Sequence, residues 1–254
     1  REPVIREKGE KQVVAAAHRL IANTAAESAD LVRHYGADPA KVVVVHPGVE
    51  TEVFTPGDET AARIRCGLDP NEPLVVFVGR IQPLKGPDVL VEALVRLRSR
   101  GSQVPRLLIS GGSSGNPTAL QELQELVRQT GLADRVEFRP PVSRIELADL
   151  YRAADVVAVP SRSESFGLVA AEALCAGAVV AAADVGGLRH VLADGAAGRL
   201  VPGHDPNTWA DTLSELLADP VERARLARSA AAQSDRFSWR RAAEQILQVY
   251  RQLG

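Results

Sequence analysis

Methionine is absent from all 254 residues. A natural reading frame opens with one, so the sequence is expected to be a piece of a longer chain. Lysine is nearly as scarce. Lys8, Lys11, Lys41 and Lys85 are the only four among 30 basic residues, which makes a lysine inside a tight turn conspicuous. Cysteine occurs twice, at Cys66 and Cys175. Neither has metal-ligand spacing, and both read as small buried hydrophobes in a reduced compartment. The net charge is only −2, which argues against a surface that coats nucleic acid. No apolar run approaches membrane-spanning length and no leader-like segment opens the sequence, so a cytoplasmic protein without a transmembrane segment is expected. The five histidines, His18, His34, His46, His190 and His204, show no metal spacing and read as non-ligands. The length suits one large domain, or one domain with part of another.

What is present is a regular alternation. The first 50 residues read as helix, strand, helix, strand. Two strands and two helices cannot close a core, so this part looks like the tail of a larger domain. Pro47-Gly48 and Pro56-Gly57 punctuate a linker over 51–73. Strands are then predicted over 74–79, 106–110, 135–138, 156–160, 178–182 and 198–201, with helices between them. Near-continuous Val, Leu, Ile and Ala strands alternating with helices mean an α/β fold with a parallel sheet covered on both faces, doubly wound. It occupies 74–236, and a last helix fills 237–254.

Four stretches lie where chemistry could sit, at the C-terminal edge of such a sheet. The first strand runs into GRIQPLKGPDVL. Arg80 and Lys85 stand five residues apart in turn geometry, a planar fork and a point charge suited to a pyrophosphate; a solvated basic loop is the alternative. The fourth strand runs through VVAVPSRSESFGLVAAEALCAG. Glu164 lies in its loop and Glu172 about two turns into the helix, placed to accept hydrogen bonds from sugar hydroxyls. The amides around Ser165, Phe166 and Gly167 open that helix and suit an anion. The alternative is a capping carboxylate at Glu164 and a solvated Glu172. After the third strand, a flat ring could wedge against Pro140, Pro141 and Val142, with the Val142 backbone pairing its polar edge. Asp184-Val185-Gly186-Gly187 brings a glycine pair to the same crevice.

One competing motif exists. Gly111-Gly112-Ser113-Ser114-Gly115 matches G-x-S-x-G, the nucleophile elbow of serine hydrolases. Its glycines precede the serines, Asn116-Pro117 lengthens the loop, and neither His190 nor His204 stands in an acid–base setting. Neither a Walker loop nor a G-x-G-x-x-G is present, which disfavours an ATPase or a nicotinamide dehydrogenase.

These pieces occur in one order that resembles the C-terminal part of retaining glycosyltransferases of family 4, which have the two-domain GT-B fold. The matching residues are Gly79-Arg80 with Lys85-Gly86, Ser110-Gly111-Gly112, Leu150-Tyr151 with Ala154-Asp155, Pro160-Ser161, and Glu164 through Glu172. Gly186-Gly187, Asp194-Gly195 with Gly198, and Phe237-Ser238-Trp239 complete them. Within the family, ESFGLVAAEA, YRAADVVAVPS and GHDPNTWAD look most like members that move N-acetylglucosamine from UDP to inositol phosphate.

The resemblance implies a Rossmann-like donor domain with a remnant of the N-terminal, acceptor domain. Arg80 and Lys85 would hold the donor diphosphate, Glu172 the ribose and Glu164 the transferred sugar. Amides of Phe166, Gly167 and Leu168 would support sugar and phosphate, and Val142 would read uracil through its main chain. The expected partners are a UDP-sugar and a small polar acceptor, with no cofactor and no requirement for a divalent metal; a homodimer is allowed for the full-length enzyme. Sucrose-phosphate-type and GDP-mannose-dependent transferases, and a non-catalytic nucleotide-sugar-binding module, are the alternatives. The opening Arg1-Glu2-Pro3 resembles the segment that helps bind inositol phosphate, but Arg6, Glu7 and Lys8 do not keep its register, so no acceptor role is carried over. Without the rest of the N-terminal domain, this chain is expected to hold a donor weakly and not to transfer.

Overall fold

The computed structural model describes residues 4–113 and 118–253. The Arg1-Glu2-Pro3 cluster and the Ser114-Gly115-Asn116-Pro117 part of the serine loop lie outside the described residues. The first unit consists of α1 (Val4–Ala16), β1 (Leu20–Ala22), α2 (Ala25–Tyr35) and β2 (Val42–Val44). β1 and β2 form a two-stranded parallel sheet, Leu20 opposite Val42. Thr24 caps α2, its hydroxyl accepting the Glu27 N–H, which satisfies one of the amides a helix start leaves open. α2 itself buries no residue, and Val13 on α1 and Ile21 on β1 are exposed. A layer this thin depends on what packs against it.

The second unit continues with α3 (Glu59–Arg65), β3 (Leu74–Val78), α4 (Pro87–Ser99), β4 (Arg106–Ser110), α5 (Ala119–Gln129) and β5 (Val136–Arg139). Next come α6 (Arg144–Ala153), β6 (Val156–Val159), α7 (Leu168–Cys175), β7 (Val180–Ala183), α8 (Leu188–Val191) and β8 (Arg199–Val201). Three helices end the chain, α9 (Pro206–Ala218), α10 (Pro220–Ala231) and α11 (Trp239–Arg251). The sheet has the order β5-β4-β3-β6-β7-β8, and every neighbouring pair is parallel. This is the doubly wound α/β sheet expected from the alternation. Strand order reverses between β3 and β6, so the crossovers leaving those strands diverge and open a crevice beyond their C-terminal ends.

Successive residues of the strands feed opposite cores, the reason they read as unbroken apolar runs. Val75 and Phe77 of β3 join Leu90 and Leu94 of α4 and Trp209 of α9. Leu74 and Val76 join Tyr151 of α6 and Leu174 of α7 on the other face. Each such side chain, fully buried, contributes roughly 1.5–3 kcal/mol. No helix among the described residues is long and apolar enough to cross a membrane.

The stretch read as a linker, 51–73, is folded. α3 packs on α6, and Phe54, Ala62 and Leu68 are buried in the core that holds Tyr151 and Leu174. Arg63, only 3% exposed, donates to Asp155 Oδ2 at 2.8 Å and to the carbonyls of Ala153, Pro70 and Glu72 at 2.8–3.0 Å. Asp155 also accepts the Leu74 N–H. A seven-residue helix whose inward positions are an alanine and an arginine shows no apolar period, and the proline and glycine around it are the stronger signal in the sequence. At the other end of the chain, the Val49 N–H donates to the Phe237 carbonyl, and Val49 bridges to Ser238 in parallel.

Candidate functional site

The crevice is built by two loops that lock together at the strand-order reversal. Past β3, the Gly79 and Ile81 N–H groups donate to Ser110 and Gly112 carbonyls at 3.0 Å. Arg80 between them is exposed, and its guanidinium has no hydrogen-bond or ion-pair partner among the described residues. The chain then makes a 3-10 turn, Pro83–Lys85, and Gly86 opens α4 at φ 68°. A Cβ on Gly86 would lie 2.3 Å from the Pro160 carbonyl oxygen, so only glycine lets this turn press on the end of β6. Arg162 ties the same loops: its N–H donates to the Leu84 carbonyl at 2.8 Å, and its guanidinium grips Asp88 at 2.7 and 3.1 Å.

That interlock brings Lys85 Nζ to 2.5 Å from Glu164 Oε2, with the two side chains 20% and 17% exposed. Ser161 Oγ lies 3.4 Å from the same carboxylate oxygen. The Glu164 carbonyl accepts the Gly187 N–H at 3.0 Å. Gly186, at φ 50°, lies so close that a Cβ there would come within 1.9 Å of the Glu164 carbonyl oxygen. The glycine pair after β7 is thus the backing on which the Glu164 loop rests. Phe166 is buried, Ser165 and Leu168 are exposed, and Gly167 caps α7 without a side-chain hydrogen bond. The first amides of α7 therefore have no acceptor within the helix.

Glu172, half-buried on α7, accepts the Tyr151 hydroxyl at 3.0 Å. Burial pushes its carboxyl above the ordinary range, against the lowering effect of that hydrogen bond. Burial and the adjacent carboxylate push the Tyr151 phenol well up, so it stays a donor. Val142, half-buried after β5, packs on the core that holds Tyr151 and Leu174. Arg144 beside it is exposed and pairs with Glu50, which leaves it bound to the protein's own carboxylate.

The first unit reaches this crevice as well. Thr24 Oγ1 lies 3.3 Å from the Ser165 carbonyl, and the His46 ring stacks on Phe166 with centroids 5.9 Å apart. A cavity of about 270 Å³ between the units is lined by Thr24, Glu27, Asp30, Arg162, Glu164 and Gly186. Sequence reasoning singled out neither Thr24 nor His46. The Thr-x-x-Glu signature at Thr24 and Glu27 marks a helix start, but nothing in the sequence says what that start faces. A larger hollow, about 700 Å³, lies at the opposite end of the sheet among Glu72, Arg98 and Arg135. There the charges satisfy one another, with Arg135 Nη1 3.1 Å from Glu72. The hydrolase alternative loses its base: His190 Nε2 faces Arg236 at 3.2 Å, and His204 Nε2 faces the Ser161 carbonyl at 3.1 Å. Among the described residues, no three His, Cys, Asp or Glu side chains converge on a point.

Residues 58–233 match the family described as Glycosyl transferases group 1, and residues 1–53 match Glycosyltransferase Family 4. A D-inositol 3-phosphate glycosyltransferase of Xylanimonas cellulosilytica is 55% identical over 99% of this chain and 61% of its own length. Its namesake in Rhodococcus opacus is 50% identical over 98% of this chain and 56% of its own length. The chain thus spans 56–61% of these relatives. Among solved structures, sucrose-phosphate synthase of Thermosynechococcus elongatus superposes with a TM-score of 0.88 at 34% identity, over 99% of this chain and 62% of the other. Anabaena HepE in complex with UDP and glucose shares the fold, with a TM-score of 0.85 at 23% identity over 98% of this chain and 66% of the other. The first match runs from α3 to α10 and encloses both locked loops. The chain belongs to the group 1 glycosyl transferases.

Proposed function

We propose that this chain is the donor-binding part of a retaining glycosyltransferase that takes UDP-N-acetylglucosamine and passes the sugar to a hydroxyl of an inositol phosphate. The observation that carries the reading is the Lys85–Glu164 contact at the reversal of strand order, with exposed Arg80, unpartnered among the described residues, five positions before Lys85. A cation from one crossover and a carboxylate from the other share the place where open α/β sheets hold ligands. In this assignment Arg80 and Lys85 take the diphosphate, and Lys85 exchanges its carboxylate partner for phosphate. Glu164, released, accepts hydrogen bonds from hydroxyls of the transferred sugar. Glu172, oriented by Tyr151, binds the ribose. The amides of Phe166, Gly167 and Leu168 support sugar and phosphate, and the Val142 main chain pairs with uracil.

Transfer joins the acceptor oxygen to the anomeric carbon on the face from which the diphosphate departs. The carbon–phosphate oxygen bond breaks, and the leaving phosphate takes the acceptor proton. Arg80 and Lys85 stabilise the charge that develops there, so no divalent metal is assigned. Residues 1–50 are assigned to the acceptor-side domain, 74–236 to the donor domain, and 237–254 to a helix returning toward the first. Both curated relatives named above support the inositol phosphate acceptor. The likeness to sucrose-phosphate synthase favours a sucrose-phosphate-type enzyme as the second reading. A thermal-shift panel of UDP, GDP, UDP-N-acetylglucosamine, UDP-glucose and GDP-mannose tests the donor. Stabilisation by UDP and most by UDP-N-acetylglucosamine is expected. A panel in which nothing shifts the melting curve rejects donor binding.

A further inference from the structure

Behind Phe166 stands a row of rings that the donor assignment leaves unused. His46, just past β2, has Nδ1 2.7 Å from the Asn23 carbonyl oxygen. That nitrogen therefore carries the proton and donates. Its ring stacks on Phe166, and also on His190 of α8 with centroids 4.1 Å apart at 28°. Phe166 meets Phe237 edge-on at 6.0 Å. His190 Nε2 lies 3.2 Å from Arg236 Nη2. A guanidinium nitrogen only donates, so Nε2 is the bare nitrogen of a neutral His190.

A second proton on His190 has one place to go. It must sit on Nε2, against the Arg236 guanidinium and beside the stacked His46. The other charged group that bears on the ring is Asp194, in the turn Ala193–Gly195, and Arg189 already draws on that carboxylate at 3.5 Å. Burial first, then His46 and Arg236, hold the His190 imidazole down to about 4. Charging it opposes the contacts that keep Phe166 in place, and Phe166 sits in the turn between Glu164 and α7.

We infer that His46 and His190 are positioning residues of the donor loop: their stacked rings fix Phe166 against the first unit, and a proton on His190 loosens the 165–168 turn. The term donor loop rests on the function proposed above; the ring geometry does not. The test is a titration of this chain by NMR from about pH 7.5 to pH 3.5, following imidazole and backbone amide resonances in the unsubstituted chain, H190Q and H46Q. UDP affinity is measured by calorimetry over the same range. In the unsubstituted chain, the amides of Thr24, Phe166 and Gly167 are expected to move with the His190 midpoint, and UDP affinity to fall about threefold or more across that step.

H190Q should lack the step in both readouts. H46Q should raise the His190 midpoint and release Thr24 from it; if H190Q does not fold, this second variant decides the matter alone. Loop amides that ignore His190 protonation, or that keep the step in H190Q, overturn the inference. If UDP fails to bind at any pH, the donor assignment falls, while the amide titrations still decide the role of the two histidines.

Discussion

Lys85 and Glu164 are 79 positions apart in sequence, yet their charged atoms meet at 2.5 Å across the two loops at the strand-order reversal. The donor-side chemistry proposed for this chain is therefore held closed on itself until a ligand competes for one of the partners.

Replacing Lys85 removes the proposed phosphate contact and leaves Glu164 nearby without its cation. Lys85→Ala is expected to weaken UDP by about 1.5–3 kcal/mol, the range for a hydrogen bond to a charged group. UMP, with one phosphate fewer, should lose less. Equal losses in calorimetry would reject the diphosphate role.

Glu164→Ala gives the opposite pattern. Lys85 is freed from its carboxylate, so UDP affinity should hold or rise, while UDP-N-acetylglucosamine loses the advantage it has over UDP. A drop in UDP affinity as large as the drop for the sugar nucleotide would show that Glu164 does not face the sugar.

Glu172 trades stability against binding. Burial raises its carboxyl above the 4.5 of a free glutamate, so the unfolded chain sheds this proton at lower pH than the folded one. The group's contribution is fully present below the unfolded value and is lost as pH rises through the folded one. Glu172→Gln keeps an acceptor for Tyr151 and removes that loss. Its melting temperature should exceed that of the unsubstituted chain at pH 7.5 and match it near pH 4, while UDP binds less well. A variant that melts lower at pH 7.5 contradicts the burial argument.

Gly186→Ala adds a methyl where the φ is 50° and the Glu164 carbonyl is 1.9 Å away. The left-handed backbone alone costs about 1–2 kcal/mol, and the collision must move the Glu164 loop. A lower melting temperature with a larger loss for the sugar nucleotide than for UDP is expected; unchanged values would mean the loop yields freely.

Arg63→Ala strands Asp155 in the interior. Breaking a buried pair by removing one partner costs about 3–5 kcal/mol, which urea unfolding measures directly. Arg223, whose Nη2 is 3.4 Å from Asp155, is the only other cation paired with that carboxylate among the described residues. A loss near zero would show that it takes over.

Most of the architecture was legible because the strands are buried on both faces. The apolar runs through Val75-Val76-Phe77 and Val156-Val157 admit no other use, and the turns after them carried Arg80, Lys85 and Glu164. What stayed hidden depends on tertiary contact. α3 is too short to show a period, and it buries an arginine that only Asp155 explains. Tyr151 reads as one more apolar residue of α6 until its hydroxyl is seen on Glu172. His46 and His190 lie in different units with ordinary surroundings in sequence; only the fold stacks them. The sequence places Lys85 and Glu164 at one crevice, but their direct pairing depends on the fold alone.

Val49 and the Phe237-Ser238 segment run side by side, so the stretch that leaves the first unit is clamped to the one that opens α11. A backbone hydrogen bond at that point resists sliding of one stretch past the other. The single Thr24–Ser165 contact across the crevice has no such backbone partner, so the far side of the crevice is held by less than the seam behind it.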